Sequence, residues 1–208
     1  MTFGAMIDRT RMKLNEATAA FYSDDDIKLA LNEGYAEMAD ATEFYERQAY
    51  VPMLTKRTYY DLSLILPDTF LSPRRVYNPR TSNWLEPTDP VNLDLHMFPQ
   101  WELTEGEPEQ YIMRGNWWFG VFPKPTQDGV GLRFYYSAIP PAMSGATDTP
   151  EFPEEFHEGL IEFALSDLKG QRRETAKALS HWQRYIAFQE GLKAYADGRT
   201  RLAQRSVL

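Results

Sequence analysis

The histidines and the carboxylates near them are the side chains of this sequence best suited to bind a metal or to transfer protons. His157 stands beside Glu154, Glu155 and Glu158, a grouping that would suit a metal site or an acid–base pair. A zinc-protease helix needs a second histidine four residues after the first, and none is present. Acidic residues are also common in the first turn of a helix, where the helix dipole stabilises them. The cluster therefore predicts the start of a helix rather than a metal or catalytic site.

Other short motifs share parts of known catalytic and binding patterns but complete none of them. Asp24-Asp25-Asp26 lacks the glycine and the distal glutamate of a calcium-binding loop, and it fits a helix start better. Asp94 and His96 have no Gly-x-Ser-x-Gly nucleophile turn near them. Gly129-Val130-Gly131 lacks the third glycine of a dinucleotide-binding loop and precedes a strand-like segment. The sequence thus predicts a protein that is not an enzyme and that uses no metal and no cofactor.

Trp117-Trp118-Phe119 is the most unusual tripeptide of the chain. On a strand, Trp117 and Phe119 would face one side and Trp118 the other. Such aromatic surfaces stack sugars or single-stranded nucleic acid, or they are buried in a core or a protein interface. The segment from Gly115 to Pro123 has no charged residue, and the net charge of −8 disfavours a general affinity for DNA. A core or a protein–protein interface is therefore the predicted role.

Composition narrows the class of protein further. The 208 residues include no cysteine, which excludes disulfides, cysteine-ligated metals and thiol catalysis. With 43% hydrophobic and 25% charged residues, the chain is expected to be a soluble globular protein of one domain or two small ones. No run approaches the roughly 18 apolar residues of a membrane span, and no signal peptide is expected.

Prolines divide the chain into regions. All 14 prolines lie between Pro52 and Pro153, so two proline-free ends are expected to be helical and to flank a middle of strands and turns. Ser23 followed by Asp26 resembles a helix capping box, and apolar residues then recur at helical spacing from Ile27 to Thr42. Helices are predicted over about residues 4–21, 23–45, 153–170 and 174–195, with a stop at Gly198.

The hydrophobic period changes to two in the middle of the chain, as it does in half-buried strands. Strands are predicted over residues 58–67, over both arms of 111–123 around a turn at Gly115-Asn116, and over 131–139, with a looser hairpin around 78–83. The predicted fold class is α+β, an antiparallel helical bundle of N- and C-terminal helix pairs with a central antiparallel β-sheet or barrel-like insertion. The predicted domains are a helical bundle of residues 1–50 and 150–198, a β-rich insertion of residues 51–149 and a flexible C-terminal arm of residues 199–208.

Charge is distributed unevenly along the chain. Residues 1–160 hold 25 acidic and 13 basic residues, whereas residues 161–208 hold five acidic and nine basic ones. The last eleven residues contain three arginines and no acid. This segment is either a solvated, frayed terminus or an arm that becomes ordered on a partner with an acidic surface.

The order of these features resembles the head–tail adaptor proteins of tailed bacteriophages, also called connector or head-completion proteins. The resemblance runs from about Ser23 to Leu192 and includes the segments DDDIKLALNEGYAEMA, YYDLSLILPDTFLSPRRVY, LEPTDPVNLD and TPEFPEEFHEGLIEFALSDL. Its most specific part is Gly106 to Met143, where a Gly-x-Pro-x-x-Tyr opening precedes a hairpin ending in FPKP, a glycine turn and a Tyr-Tyr strand.

The resemblance implies a structural role in the virion rather than catalysis. Such adaptors form a ring, usually of twelve subunits, under the portal in the neck of the particle, and they are assembled in the host cytoplasm. They extend the DNA channel, through which DNA passes without specific binding, and they carry the tail proteins. The implied partners are the portal protein, tail or nozzle proteins and other copies of the chain, and no membrane is implied. Portal binding is expected from the arm residues Arg199, Arg201, Leu202, Arg205, Val207 and Leu208, and a subunit or tail interface from Trp117, Trp118 and Phe119.

Two other functions stay open at this level. One is a carbohydrate- or host-binding virion module that uses the aromatic face of Trp117 and Trp118. The other is a cell-wall hydrolase that acts through Glu154, Glu155 or His157. Glycan binding that is lost in Trp118→Ala would identify the first, and lytic activity that is lost in Glu155→Gln would identify the second.

Overall fold

The chain folds as two compact units. The computed structural model describes residues 1–16, 21–97, 100–129 and 131–205. One unit, Met1–Tyr45 with Ile139–Leu208, contains the helices of both chain ends and is called the helical unit below. The other, Glu46–Ala138, contains the strands and is called the sheet unit. The predicted α+β class, with helices from both chain ends and a β-rich insertion between them, is confirmed.

Four helices of the described chain form the helical unit. They are α1 (Phe3–Leu14), α2 (Asp24–Thr42), α4 (His157–Gln171) and α5 (Thr175–Arg205), while α3 (Pro90–Met97) belongs to the sheet unit. α1 is shorter than predicted, because Asn15 adopts a left-handed backbone with φ of 59° that ends the helix. α5 continues through Gly198, so the predicted stop there is wrong. A single glycine costs a helix only about 1 kcal/mol, which residues on both sides can offset.

The start and the buried face of α2 agree with the sequence prediction. The Ser23 hydroxyl accepts a hydrogen bond from the Asp26 N–H, and the Asp26 carboxylate accepts one from the Ser23 N–H, which completes the capping box. All five positions of the predicted apolar stripe are buried: Ile27, Leu31, Tyr35, Met38 and Thr42. These residues join one core with buried residues of the other helices, among them Phe3, Met6, Leu160, Ala164, Leu168, Tyr185 and Leu192.

The sheet unit has nine strands within its described residues. They are β1 (Glu46–Pro52), β2 (Tyr59–Asp61), β3 (Phe70–Asn78), β4 (Asn83–Thr88), β5 (Glu105–Gly106), β6 (Gln110–Arg114), β7 (Trp118–Phe122), β8 (Lys124–Pro125) and β9 (Gly131–Ala138). Seven of them form a sheet in the order β1-β9-β3-β4-β6-β7-β2, and β5 and β8 form a separate pair. The β4–β6 pair is parallel and the other pairs of the larger sheet are antiparallel. The prediction of an antiparallel sheet misses this pair, whose connection contains α3 and crosses over.

Two predicted hairpins are confirmed. β3 and β4 pair with Asn78 opposite Asn83, and β6 and β7 pair with Arg114 opposite Trp118. The β6–β7 loop begins at Gly115, which has φ of 63°, a conformation that glycine adopts without strain.

The predicted strand over residues 58–67 is wrong over most of its length. Strand β2 covers Tyr59–Asp61, and Leu62–Leu64 then form a short 3-10 turn. The Asp61 carboxylate accepts a hydrogen bond from the Ser63 N–H at 2.9 Å and thereby caps this turn. In a strand, the side chains of residues 62 and 64 would point to the same face, but Leu62 is buried and Leu64 is 84% exposed.

One face of the large sheet forms the core of the sheet unit. Its fully buried side chains include Val51, Val76, Phe119, Val121, Leu132 and Phe134. No helix within the described residues is long and apolar enough to cross a membrane.

Candidate interaction surfaces

The structure separates the three residues of the Trp117-Trp118-Phe119 tripeptide. Phe119 is fully buried, and its ring contacts Phe134 with ring centroids 5.3 Å apart. Trp118 lies on β7 and is 50% exposed. Trp117 lies in the hairpin loop, where its ring packs on Phe70 with centroids 5.5 Å apart. Trp118 is therefore the residue of the three that is most available for contact with another molecule.

Trp118 has an arginine and a tyrosine beside it, and Tyr59, Arg114 and Trp118 are called the Trp118 patch below. Arg114 is directly opposite Trp118 on β6, and its guanidinium carbon lies 5.7 Å from the centre of the Tyr59 ring. Tyr59 pairs with Gly120 of β7, and a Cβ at position 120 would come within 2.9 Å of its ring. The three side chains line a shallow cavity of about 300 Å³.

The composition of the Trp118 patch is that of a protein-binding surface. Tryptophan, tyrosine and arginine are the residues most enriched among those that dominate binding energy at protein interfaces. Trp118 stood out in the sequence, but its two neighbours did not. Arg114 lies opposite Trp118 because the hairpin loop has three residues, 115–117, rather than the two predicted. Tyr59 reaches the patch through pairing of strands distant in sequence.

A second surface, which sequence analysis missed, lies on the face of β1, β9, β3 and β4 opposite the core. Its residues are called the arginine–aromatic face below: Tyr50, Arg75, Tyr77, Trp84, Arg133 and Tyr135. Arg75 lies between two rings, with its guanidinium carbon 4.7 Å from the centre of Trp84 and 4.9 Å from that of Tyr135. Arg133 lies between Tyr77 and Tyr50 in the same way, at 5.8 and 6.0 Å. Alternate residues of neighbouring strands thus form a ladder of rings and guanidinium groups.

The predicted C-terminal arm is in part helical. Arg199, Arg201, Leu202 and Arg205 belong to the last turns of α5, while Val207 and Leu208 lie outside the described residues. Portal binding by this segment stays a prediction.

The His157 ring makes its hydrogen-bond contacts with the Met1 amino group and with two backbone carbonyls rather than with the nearby carboxylates. The His157 ring is buried, and its Nε2 lies 2.9 Å from the carbonyl oxygen of Phe152. Glu155 is exposed and lies in a 3-10 turn, Glu154–Phe156, so α4 begins at His157, four residues after the predicted start at residue 153. In residues 1–16, 21–97, 100–129 and 131–205, no group of three or more histidine, aspartate or glutamate side chains is arranged to hold a metal.

A buried carboxylate on α4 connects three helices. Glu162 is 3% exposed, and its Oε1 lies 2.6 Å from Nζ of Lys13 on α1. Its Oε2 lies 2.6 Å from Nδ1 of His181 on α5. Burial by itself raises the pKa of Glu162. The hydrogen bonds from Lys13 and His181 together lower the pKa by more than burial raises it, so the pKa lies below the ordinary value. The cluster thus joins α1, α4 and α5 within the bundle.

The environment of His157 gives the helical unit a pH-dependent stability. Burial lowers the pKa of His157, so the fold favours the neutral ring. The contribution of His157 to the stability of the fold is complete above the unfolded pKa of about 6.5 and is lost as the pH falls below that value.

We expect the free energy of unfolding to fall between about pH 7.5 and pH 5, and to fall less in His157→Gln. Urea denaturation at several pH values measures this. The control is His96→Gln, at an exposed histidine, which is expected to behave like wild type. If the free energy of unfolding changes equally with pH in wild type and in His157→Gln, His157 is not the group responsible.

A family model matches almost the whole chain. The family model described as SU10 adaptor protein matches residues 1–207. A search of curated proteins found none that matches the chain.

Proposed function

The chain belongs to the SU10 adaptor protein family, and we propose that it forms the ring between the portal and the tail of a tailed bacteriophage. Family membership makes it a structural phage adaptor and a component of the virion, and this is not an enzyme class. The resemblance to head–tail adaptors read from the sequence is thus confirmed at the level of the family. The observation that carries the proposal is the length of the match, which spans residues 1–207 and so includes both the helical and the sheet unit.

The proposed ring lies in the neck, docks on the portal, is twelve-fold and extends the DNA channel. The excess of acidic residues in the chain supports the proposal that DNA passes through the ring without being bound by it. Residues 1–160 carry 25 acidic against 13 basic side chains, and like charge leaves few attractive contacts for phosphates. The tail or nozzle proteins bind the side of the ring away from the portal.

Copy number per particle tests the proposal directly. Density-purified particles are analysed by quantitative mass spectrometry with the major capsid and portal proteins as internal references. A copy number equal to that of the portal protein is expected, since both rings then share one vertex. Absence from the particles, or a copy number that scales with the capsid protein, would overturn the proposal.

The end of α5 is the proposed portal contact. Removal of residues 198–208 is expected to change the free energy of unfolding by less than about 0.5 kcal/mol, because Leu192 is the last described residue of α5 that is buried. The same truncation is expected to abolish binding to the portal protein, measured by co-sedimentation. Replacing Arg199, Arg201 and Arg205 by glutamine is expected to remove the salt dependence of binding, whereas Leu202→Ala weakens binding at every salt concentration. Undiminished binding by the truncated chain would exclude this contact.

The Trp118 patch is the proposed contact with a neighbouring subunit or the tail. Trp118→Ala is expected to leave the fold intact, because the ring is half exposed, and to weaken tail attachment tenfold or more, as loss of a hot-spot residue worth about 2 kcal/mol does. The measurement counts tailed and tailless particles after complementation with the variant. Leu64→Ala, another exposed apolar residue of the sheet unit, is the matched control. Normal tail attachment and normal ring assembly by Trp118→Ala would contradict the assignment.

A further inference from the structure

The arginine–aromatic face contains a charge that the described part of the protein leaves unpaired. Arg133 has no ion-pair partner among the described residues, and its buried Nε has no hydrogen-bond partner there. Its neighbour Arg75 does have a carboxylate nearby, Glu46, at 3.4 Å. A guanidinium that is partly removed from water costs free energy unless an anion or an acceptor compensates it. Arg133 therefore carries a charge that is free to pair with a carboxylate of another molecule through the guanidinium nitrogens other than the buried Nε.

Two rings of the arginine–aromatic face, one beside Arg133 and one beside Arg75, are exposed rather than covered by another part of the sheet unit. Tyr50 is 56% exposed and Trp84 is 42% exposed, although both are large apolar side chains. Exposed rings that hold arginines in fixed positions present a rigid surface with little side-chain entropy left to lose on binding. The surface thus has the composition of a protein interface whose partner carries carboxylates.

An acidic segment of the same unit fits this description. Residues 102–109 contain four glutamates, Glu102, Glu105, Glu107 and Glu109. Glu107 pairs with Arg80 at 3.2 Å and Glu105 lies 4.0 Å from Lys56, but Glu102 and Glu109 have no ion-pair partner among the described residues. Both of these unpaired side chains are exposed.

Apolar side chains beside this segment complement the aromatic part of the surface. Leu103, within the segment, is 73% exposed. Val91 and Leu95 of α3 are 65% and 73% exposed and lie four residues apart, on one side of the helix. α3 contacts the residue just before this segment through a hydrogen bond from Trp101 to Asp94, so exposed acidic and apolar side chains occur in the same region and complement the charge and the polarity of the arginine–aromatic face.

We infer that the arginine–aromatic face of one copy binds the Glu102–Glu109 segment of the next copy. Because two different surfaces of each copy take part, the contact is head-to-tail, and repetition around an axis closes a ring. This inference rests on the proposed function, which supplies the ring. It adds which surfaces join neighbouring copies, and it gives Arg133 its missing carboxylate.

Engineered cysteines test the contact, since the natural chain has none. One copy carries Gln48→Cys, an exposed position opposite Tyr135 on the arginine–aromatic face, and a second carries Leu103→Cys. Both are produced together during phage assembly, and purified particles are oxidised and analysed without reductant. A covalent dimer is expected when both copies are present, and none when either is present alone.

Charge reversal gives the test its specificity. Arg133→Glu in the Gln48→Cys copy is expected to reduce the cross-linked dimer at least tenfold, and Glu102→Arg with Glu109→Arg in the other copy is expected to restore it. Arg57→Glu makes the same charge change at an exposed arginine elsewhere in the sheet unit and is expected to have no effect.

The outcomes separate this inference from the proposed function. Absence of both copies from the particles would overturn the proposed function, and with it the ring that this contact needs. If the copies are present at the stoichiometry of the portal but no mixed dimer forms, the inference alone is overturned. The same holds if Arg57→Glu reduces the cross-linked dimer as much as Arg133→Glu does. Binding of a labelled oligothymidine strand that depends on Arg133 would also overturn it, because the face would then belong to nucleic acid.

Discussion

Glu162→Ala is expected to lower the free energy of unfolding of the helical unit by about 3–5 kcal/mol, the usual cost of removing one partner from a buried ion pair. The carboxylate is 3% exposed and is shared by Lys13 and His181, each 2.6 Å away. Its loss leaves His181 without its acceptor and leaves Lys13 with Glu158 as its remaining carboxylate. Urea denaturation followed by circular dichroism measures the change. The matched control is Glu155→Ala, an exposed glutamate just before α4, for which we expect less than about 0.5 kcal/mol.

The same carboxylate predicts how stability changes in acid. Hydrogen bonds from Lys13 and His181 hold the pKa of Glu162 below its ordinary value despite burial. A carboxyl group with a lowered pKa stabilises the fold fully above its unfolded pKa of about 4.5, and the contribution is lost as the pH falls through the folded pKa. Below about pH 4.5, wild type is therefore expected to lose stability more steeply than Glu162→Ala. Parallel curves for the two proteins would show that this carboxylate is not the titrating group.

Gly159→Ala is expected to destabilise the helical unit by about 1–3 kcal/mol, as overpacking of a close-packed core does. Gly159 lies on α4 in contact with side chains of α2 and α5. A Cβ at this position would lie 2.8 Å from Cε of Met38 and 2.8 Å from Cβ of Phe188. The methionine end can move, but the phenylalanine Cβ is fixed to its backbone, so the helices must separate. Thermal and urea denaturation measure the effect.

The control for Gly159→Ala is the same substitution elsewhere on α4. A Cβ at Gly170 meets no atom within 4 Å. Gly170→Ala is therefore expected to stabilise the unit by up to about 1 kcal/mol through helix propensity and the lower entropy of the unfolded chain. Opposite signs are expected for the two substitutions. A stabilising Gly159→Ala would mean that α4 and α5 are not packed as closely as described.

Local features of the fold could be predicted from the sequence because their residues are near one another along the chain. The capping box of Ser23 and Asp26 spans three residues, and the buried stripe from Ile27 to Thr42 repeats with the period of a helix. The β6–β7 hairpin joins neighbouring segments and was predicted, but its loop has three residues, 115–117, rather than the two predicted, so the register differs by one residue. The predicted strand was wrong over residues 62–67, where the Asp61 side chain caps a 3-10 turn that ends strand β2.

The surfaces proposed to bind partners depend on contacts that no local pattern specifies. Arg133 and Tyr50 lie opposite each other because β1, the first strand of the sheet unit in the sequence, pairs with β9, the last one. Lys13 reaches Glu162 over a sequence separation of 149 residues. Trp118 drew attention by its residue type, but only strand pairing brings Tyr59 beside it.

The sequence by itself therefore determined the helical ends, the β-rich middle and, through their order, the resemblance to phage adaptors. The tertiary structure decided which charges are paired and which aromatic residues are exposed. The physical reason is that helix periodicity and turn chemistry act over a few residues, whereas burial and ion pairing depend on which distant segments the folded chain brings into contact.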